Sequence, residues 1–340
     1  MRAYYLDGED KVYLDFDGRE ISVPAGVQDI FVEVDTVDDN AAPVHEGSER
    51  FQLVVRDVDG VTTDSNGKAK AAAFIDDSGN GAGDSPDDDR PEITTISSPT
   101  VDEGGTAVFD VTLSNPSELV TPVTMTLANG TAESDDYTTN QITVNFADGT
   151  RTVVDAVNGE FSFDVPAGNS SYTVSVETTD DNGAPVYEGD ETFTLSGASS
   201  SQTGTVSGEA TIQDGGEGND NDRPDLTVTG AGTVSEGEVA TFSINLSNPV
   251  DHAVTLDLRA KTNGNANTAE ADDIGEMRAY YLDGDAKVYL DFDGREISVP
   301  AGVQDIFVEV DTVDDNAAPV HEGSERFQLV VRDVDGVTTD

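Results

Sequence analysis

The chain contains no cysteine, so disulfide bonds, thiolate metal sites and cysteine nucleophiles are all excluded. It also contains no tryptophan, and aromatic residues make up only 6% of the sequence. A glycoside hydrolase is disfavoured because the many carboxylates are not accompanied by aromatic residues that could hold a sugar. No run approaches the roughly 18 apolar residues that a membrane-spanning helix requires, so we expect no membrane insertion.

Basic residues are scarce. The sequence has 17 Lys and Arg against 69 Asp and Glu, for a formal net charge of −52. Nucleic acids and anionic membrane surfaces are polyanions, and we therefore expect neither as a partner. Self-repulsion of this size opposes a compact state unless counter-charge is supplied. Bound divalent cations, a diffuse salt atmosphere and a basic partner all remain open on composition alone.

The three histidines do not indicate catalysis. His45, His252 and His321 are not accompanied by a recurrent pattern of Ser and Asp. In the repeat described next, the position of His45 is occupied by Tyr187, and a catalytic base would not be replaced by tyrosine between working copies. We therefore predict that the chain is not an enzyme.

The sequence is internally repeated, which is decisive for the fold. Met1–Asp64 returns as Met277–Asp340 with only two differences, at positions 9 and 10 of the first copy. A third, diverged copy lies between them and keeps two blocks at the same spacing. These blocks are Val23–Gly26 with Val165–Gly168, and Ala42–Gly47 with Ala184–Gly189. Alternate units thus match while neighbours differ, and unlike neighbours are expected to exchange strands less readily.

Two acidic, glycine-rich stretches end in Asp-Arg-Pro and mark the boundaries, near Arg90 and Arg223. We predict a partial β-sandwich repeat over residues 1–90 that lacks its N-terminal strands, and a complete repeat over 91–223. Residues 224–340 are predicted to form a partial repeat that lacks its C-terminal strand. Gly215–Asn221 is similar to the start of a calcium-binding RTX nonapeptide, but a β-roll needs stacked copies, so we interpret it as an acidic linker.

Apolar residues alternate with polar ones throughout. The pattern is clear in Ala107–Leu113, in Tyr172–Val176 and in Ala240–Leu246. Alternation with period two predicts strands with one buried face, and Gly, Asn, Asp and Pro separate them. No helical period is present. The sequence therefore predicts an all-β fold of tandem antiparallel Ig-like sandwiches, each with about seven strands in about 130 residues.

The middle repeat carries four motifs in a defined order: Glu103-Gly104, Gly130–Tyr137, Asp180-Asp181 and Tyr187–Phe193. This order resembles the Calx-beta family, whose acidic loops converge at one pole of a sandwich and bind calcium. The resemblance implies Ca²⁺ ligands at Glu103, Asp136, Asp180, Asp181, Glu188, Glu191 and Asp214. It implies counterparts at Asp38, Asp39, Glu46, Glu49, Asp76 and Asp77 in the first repeat, and at Glu236, Asp273, Asp314, Asp315, Glu322 and Glu325 in the last.

The chemistry of calcium agrees with these residue types, because Ca²⁺ takes six to eight oxygen ligands, including carboxylates from several loops. The alternative interpretation is that Tyr187–Glu191 is only a polar turn before a strand. Asp214 is followed by glycines instead of the aspartates usual in the family, which places that ligand position in doubt.

Tandem Calx-beta-like repeats resemble the extender region of a large bacterial surface adhesin of the RTX or biofilm type. The resemblance implies an extracellular location at the bacterial surface, calcium-dependent rigidity and a spacing role in biofilm cell adhesion. It also implies an extended monomeric rod whose partners are neighbouring repeats of the same chain. The alternative is a calcium-dependent module that binds a glycan or a protein, or a calcium sensor.

Overall fold

The computed structural model describes residues 1–37, 39, 41–62, 67–79, 88–180, 185–214, 222–262, 268–314 and 323–339. Within these ranges the chain is built of 23 β-strands joined by turns, and no helix is long and apolar enough to cross a membrane. The predicted all-β fold of antiparallel sheets is confirmed.

The N-terminal segment forms two small antiparallel sheets. Its strands are β1 (Arg2–Asp7), β2 (Asp10–Tyr13), β3 (Phe31–Glu33), β4 (Ser48–Arg56) and β5 (Lys68–Asp76). Strand β1 lies between β2 and β3, and among the described residues β4 pairs with β5 alone. Most of β5 is exposed, including Phe74 at 66%. This segment therefore has little buried core among its described residues.

The middle segment forms two five-stranded sheets around one core. Its strands are β6 (Ile93–Ile96), β7 (Thr100–Asp102), β8 (Thr106–Leu113), β9 (Thr121–Asn129), β10 (Ile142–Phe146), β11 (Arg151–Val154), β12 (Glu160–Val165), β13 (Ser171–Glu177), β14 (Glu191–Ser199) and β15 (Val206–Gln213). One sheet has the order β11-β10-β13-β8-β6 and the other β12-β9-β14-β15-β7. The number of strands is ten instead of about seven, because strands as short as β7 show no alternation in the sequence.

The alternation predicted for the middle segment is realised as burial. Every second residue of β8 is buried, and Phe109 is fully enclosed with Phe193 from the opposite sheet. The core cluster contains residues from both sheets, including Val174 and Leu195. All strand pairs are antiparallel except β7 with β15, which run parallel.

The C-terminal segment repeats this arrangement. Its strands are β16 (Leu226–Thr229), β17 (Val239–Leu246), β18 (Val254–Lys261), β19 (Ile274–Asp283), β20 (Ala286–Tyr289), β21 (Glu296–Val299), β22 (Asp305–Thr312) and β23 (Gln328–Asp333). The order β16-β17-β22-β19-β20 corresponds to the first middle sheet, and β21-β18-β23 corresponds to β12-β9-β14. Strand β23 is thus at the end of its sheet.

Successive segments are joined by the same contact. His45 forms a parallel bridge with Ser117, and Tyr187 forms a parallel bridge with Val250. The amide of His45 donates to the carbonyl of Pro116 at 3.1 Å, and the amide of Tyr187 donates to the carbonyl of Pro249 at 3.0 Å. In each contact, the residue that follows a repeated Ala-Pro-Val sequence in one segment lies against a Ser-Asn-Pro loop of the next segment.

Candidate metal centre

The loop after β7 places Glu103 at one pole of the middle sandwich. Gly104 has φ of +69°, and a side chain there would bring its Cβ within 2.7 Å of the Asp180 Cβ. The Gly104 amide also donates to the carbonyl of Thr179 at 2.9 Å. Glycine is required at this position because the Glu103 turn is pressed against the loop that carries Asp180.

A third loop is tied to the same pole through Asp136. Its carbonyl accepts from the amide of Thr179 at 2.8 Å, and its Oδ2 accepts from the amide of Glu133 at 2.5 Å. The Asp136 carboxylate thus closes the turn from Glu133 to Asp136, and it also forms a hydrogen bond with Glu191. Loops that are far apart in sequence are held together here by backbone hydrogen bonds.

Asp136, Glu188 and Glu191 form the first acidic cluster, with one carboxylate oxygen from each lying within 4.8 Å of the others. The pKa of Glu191 is raised to about 8. Burial is the largest cause, and the hydrogen bond with Asp136 is the second. The neighbouring negative charges contribute in the same direction. In the absence of a counter-charge, this cluster retains a proton instead of ionising fully.

The second acidic cluster consists of Glu103, Asp214 and Asp222, again within 4.8 Å of one another. Asp214 is 5% exposed, and its Oδ2 accepts from the amide of Glu188 at 2.5 Å. The two clusters are therefore linked through the Glu188 backbone. The sequence leaves Asp214 in doubt as a ligand, but in the structure its carboxylate belongs to the second cluster and also contacts the backbone of the first.

Both clusters have dimensions that suit a calcium ion. Oxygens bonded to one Ca²⁺ lie about 2.3–2.6 Å from it and hence no more than about 5 Å from each other. One carboxylate oxygen from each residue of a cluster lies within this span of the others. The donors are all hard carboxylate oxygens, which favour calcium over softer transition metals.

The sequence analysis does not include Asp222 among the candidate ligands, because Asp222 directly follows the stretch 215–221, which we interpret as an acidic linker. A signal was nevertheless present. Asp222 and Asp89 both precede the Arg-Pro of the two joints, and their carbonyls accept from Asn248 and Asn115 at 2.9 and 2.6 Å. A residue that recurs at both joints could have been added to the candidate set on that basis.

The N-terminal segment brings several of its predicted residues together around Glu46. Repulsion from Glu49 raises the pKa of Glu46, with smaller effects of burial and of the charges of Glu118, Asp39 and Asp77. The amide of Glu46 donates to Asp77 Oδ2 at 2.8 Å, as that of Glu188 does to Asp214. Asp76 ends β5, but the strand register matches it with Gln213 in the middle segment.

The C-terminal segment gathers its predicted residues around one cavity of about 480 Å³. The lining includes Glu236, Asp273, Asp314 and Glu325. Asp273 Oδ2 accepts from the amide of Glu270 at 2.6 Å, which repeats the turn seen at Asp136. Of the other predicted ligands, Asp38, Asp181, Asp315 and Glu322 lie outside the described residues, as does the stretch 215–221.

The acidic poles of the N-terminal and middle segments also receive a carboxylate from the next segment, which sequence reasoning does not identify. The amide of Glu118 donates to the carbonyl of His45 at 2.8 Å, and that of Asp251 donates to the carbonyl of Tyr187 at 3.2 Å. The charge of Asp251 acts on Glu191, as that of Glu118 acts on Glu46. The acidic poles therefore lie at the joints between segments.

No protein-family model matches the chain, and no curated protein matches it in sequence. Among solved structures it is similar to CBD12 from CALX1.2, with 13% identity and a TM-score of 0.26 over 72% of this chain and 82% of that one. It is also similar to the apo-form Calx CBD1 domain, with 16% identity and a TM-score of 0.25 over 35% of this chain and 96% of that one. These distant similarities concern the β-sandwich fold and carry no information about function.

Proposed function

We propose that this chain consists of calcium-stabilised β-sandwich spacer units of a large secreted bacterial adhesin. The observation that carries the proposal is the position of the acidic clusters. In the middle unit, carboxylates from separate loops meet at the pole where the next unit is attached. The order of the acidic motifs, which resembles the Calx-beta family, supports the same role.

The physical consequence of calcium at these poles would be rigidity. Without a cation, the repulsion among Asp136, Glu188 and Glu191 opposes close packing of the loops. A bound Ca²⁺ would replace the retained proton and hold the loops together. Because Asp222 belongs to the joint, fixing its carboxylate would also restrain the connection to the next unit.

A spacer requires stiffness and length, and needs no catalytic group. The proposed extracellular location supplies abundant calcium and agrees with a chain that has no cysteine to oxidise. The acidic surface keeps neighbouring molecules apart by charge repulsion. Under this proposal the chain would hold a distal binding region away from the bacterial surface.

Thermal unfolding and solution scattering, with and without calcium, test this function. Calcium at a hundredfold excess over its dissociation constant should stabilise a unit by about 2.7 kcal/mol per site. The maximum dimension should increase as the joints stiffen. Magnesium is the matched control ion, since it dehydrates reluctantly and prefers octahedral sites with bound water.

An unchanged melting temperature and an unchanged maximum dimension would contradict the proposal. A rise in melting temperature together with a more compact molecule would instead favour a calcium sensor. Binding of a glycan or protein only in the presence of calcium would favour the ligand-binding alternative.

A further inference from the structure

The sheet β21-β18-β23 of the C-terminal segment has a basic outer face. Leu258 of β18 is buried in the core, and side chains alternate along a strand. Its neighbours Asp257 and Arg259 therefore lie on the outer face, and so does Lys261. Strand pairing places Arg332 of β23 opposite Asp257. Because β18 has a paired strand on each side, these residues lie on the surface of the sheet.

Asp257 holds two arginines in place on this face. Its carboxylate accepts from Nε and Nη2 of Arg259 at 2.8 and 2.9 Å, and from Nε of Arg295 at 2.8 Å. The Asp257 side chain is 5% exposed, whereas those of Arg259 and Arg295 are 49% and 61% exposed. A guanidinium group has five N–H donors, so each arginine keeps donors beyond those that Asp257 accepts. The two groups are therefore oriented before a ligand binds.

Positive charge exceeds negative charge on this face. Lys261 and Arg332 are exposed, and within the described ranges neither forms an ion pair. The carboxylates on the face are Asp257 and Glu296, which lie opposite each other. The basic side chains are Arg259, Lys261, Arg295 and Arg332. A surplus of cations is thus gathered on one face of a chain whose net charge is −52.

The middle sandwich does not have this face. By strand register, the positions of Asp257, Arg259 and Arg332 are occupied there by Thr124, Thr126 and Ala198. Arg151 is the only Lys or Arg between the two joints. In the first repeat, by contrast, Arg295 and Arg332 recur as Arg19 and Arg56. The basic residues of this face therefore belong to one type of unit, and a unit without them lies between the copies.

We propose that this basic face binds a polysaccharide that carries carboxylate groups. Arg259 and Arg295 bind carboxylates of the ligand through the donors that Asp257 leaves available, because a guanidinium fork matches the geometry of a carboxylate. Lys261 and Arg332 add positive charge on either side. The site uses no residue of the acidic poles, so it depends neither on bound calcium nor on the proposed spacer role.

The surroundings of the face determine which kind of polyanion fits. Three strands span only about 10 Å, since neighbouring strands lie about 4.8 Å apart. Double-stranded DNA carries one charge per about 1.7 Å, and a membrane surface is broad, so both would also meet the many carboxylates outside the face. A polyuronate is narrow and carries one carboxylate per sugar, which keeps this repulsion smaller. Its length also allows one ligand chain to contact copies of the face in alternate units, which increases avidity.

Fluorescence anisotropy with a labelled oligogalacturonate tests the site. Titrations at low salt contain a chelator, so that calcium cannot bridge the ligand to the acidic poles. The double variant Arg56→Gln with Arg332→Gln should bind about tenfold more weakly than the parent, because one exposed ion pair contributes up to about fivefold. The matched control is Arg2→Gln with Arg278→Gln, which removes the same charge from the same two repeats but from their other sheets. It should change binding less than about twofold.

Three results would overturn the proposal. The first is a parent protein that does not bind the oligogalacturonate, and the second is an equal loss of binding in the two double variants. The third is a single-stranded oligonucleotide, or a vesicle with anionic lipid, that binds as tightly and responds to the same variants. That result would assign the face to a different class of partner.

Asp257→Asn distinguishes an oriented site from simple attraction between charges. The substitution removes a negative charge from the face, so simple attraction would make the binding of a polyanion tighter. In the oriented site, binding should instead weaken by at least about threefold, because Arg259 and Arg295 lose the carboxylate that positions them. Asp285→Asn removes the same charge from an exposed turn and should not weaken binding. If Asp257→Asn binds the oligogalacturonate as tightly as the parent, or more tightly, the proposed site is wrong.

Discussion

Asp257 and Glu191 are carboxylates whose surroundings act in opposite directions. Asp257 is 4% exposed and accepts hydrogen bonds from Arg259 Nε at 2.8 Å and from Arg295 Nε at 2.8 Å. These guanidinium groups hold the pKa of Asp257 well below its usual range. Glu191 has only acidic neighbours among the groups that shift its pKa, and its pKa is raised. Asp257 is therefore already paired, whereas no ion pair to Glu191 is present among the residues that the structure describes.

For Asp257, we expect the ionised form to stabilise the folded state. Its folded pKa is lowered, so this contribution is present above the ordinary aspartate pKa of about 4 and is lost as the pH falls below it. Asp257→Asn should therefore lower the urea midpoint at neutral pH, and the difference from the parent should narrow in acid. Asp285→Asn, on an exposed turn, is the control and should change neither value. A difference that is independent of pH would contradict the argument.

For Glu191 in the calcium-free protein, the pH dependence of stability has the opposite sign to that of Asp257. Its folded pKa of about 8 lies above the usual 4.5, so the stability of the calcium-free protein should fall as the pH rises between these values. Glu191→Gln mimics the protonated form and should raise the melting temperature in chelator at alkaline pH. It should also reduce the increase that calcium produces. Glu209→Gln, an exposed change on β15, is the control and should have neither effect. The same result for both variants would show that Glu191 is not part of the metal centre.

At the scale of elements, β14 connects the core to the acidic pole. It begins with Glu191, and two residues later Phe193 stacks on Tyr137 with ring centroids 4.3 Å apart. Phe193 also meets Phe109 edge-on at 5.8 Å. The Tyr137 hydroxyl donates to Asn129 Oδ1 at 2.6 Å. The loop that carries Asp136 is thus anchored by the ring that follows it.

Phe193→Ala should destabilise the middle sandwich by about 3–5 kcal/mol, because it removes a fully buried ring and leaves a cavity. Amide hydrogen exchange at Leu195 reports this locally, even if the other segments unfold separately. Thr194→Ala, on the outward face of the same strand, should cost less than about 1 kcal/mol. Comparable losses for the two variants would show that the stacked rings do not stabilise this sheet.

The limits of prediction are also clear at this scale. Alternation located β8, β13 and β17, because each has seven or eight residues with one face in the core. Leu14 and Phe16 continue the same pattern beyond Tyr13, yet β2 ends there. The pairing of β2 covers only four residues of β1, and period two does not report where a partner strand stops.

At the scale of the whole molecule, the joints determine how the segments are connected. In the second joint, Asn248 Nδ2 donates to the carbonyl of Asp222 at 2.9 Å. Arg223 lies over the ring of Tyr187 at 5.8 Å and donates to the carbonyl of Gly336 at 2.8 Å. Tyr187 itself is part of the C-terminal core cluster. The joint is therefore a packed contact and includes residues from both sides.

Asn248→Ala should loosen this joint without unfolding either sandwich, since it removes one hydrogen bond worth about 1 kcal/mol. The amides of Tyr187 and Asp251 cross the joint, and their hydrogen exchange should become faster. Asn245→Ala, which removes a hydrogen bond to Asp305 on an exposed surface, is the control. Equal exchange rates of these amides in the two variants would show that the hydrogen bond of Asn248 does not stabilise the joint.

The sequence by itself determined the strand periodicity, the repeat and the acidic residue types, because burial of one strand face and copying of a unit leave a direct pattern in the residues. It also ruled out every function that requires cysteine. Only the tertiary structure decided which carboxylates meet, since Asp222, Glu118 and Asp251 reach the poles through contacts between segments. Proximity between loops and the pairing of sheet edges depend on chain topology, which a local pattern does not contain.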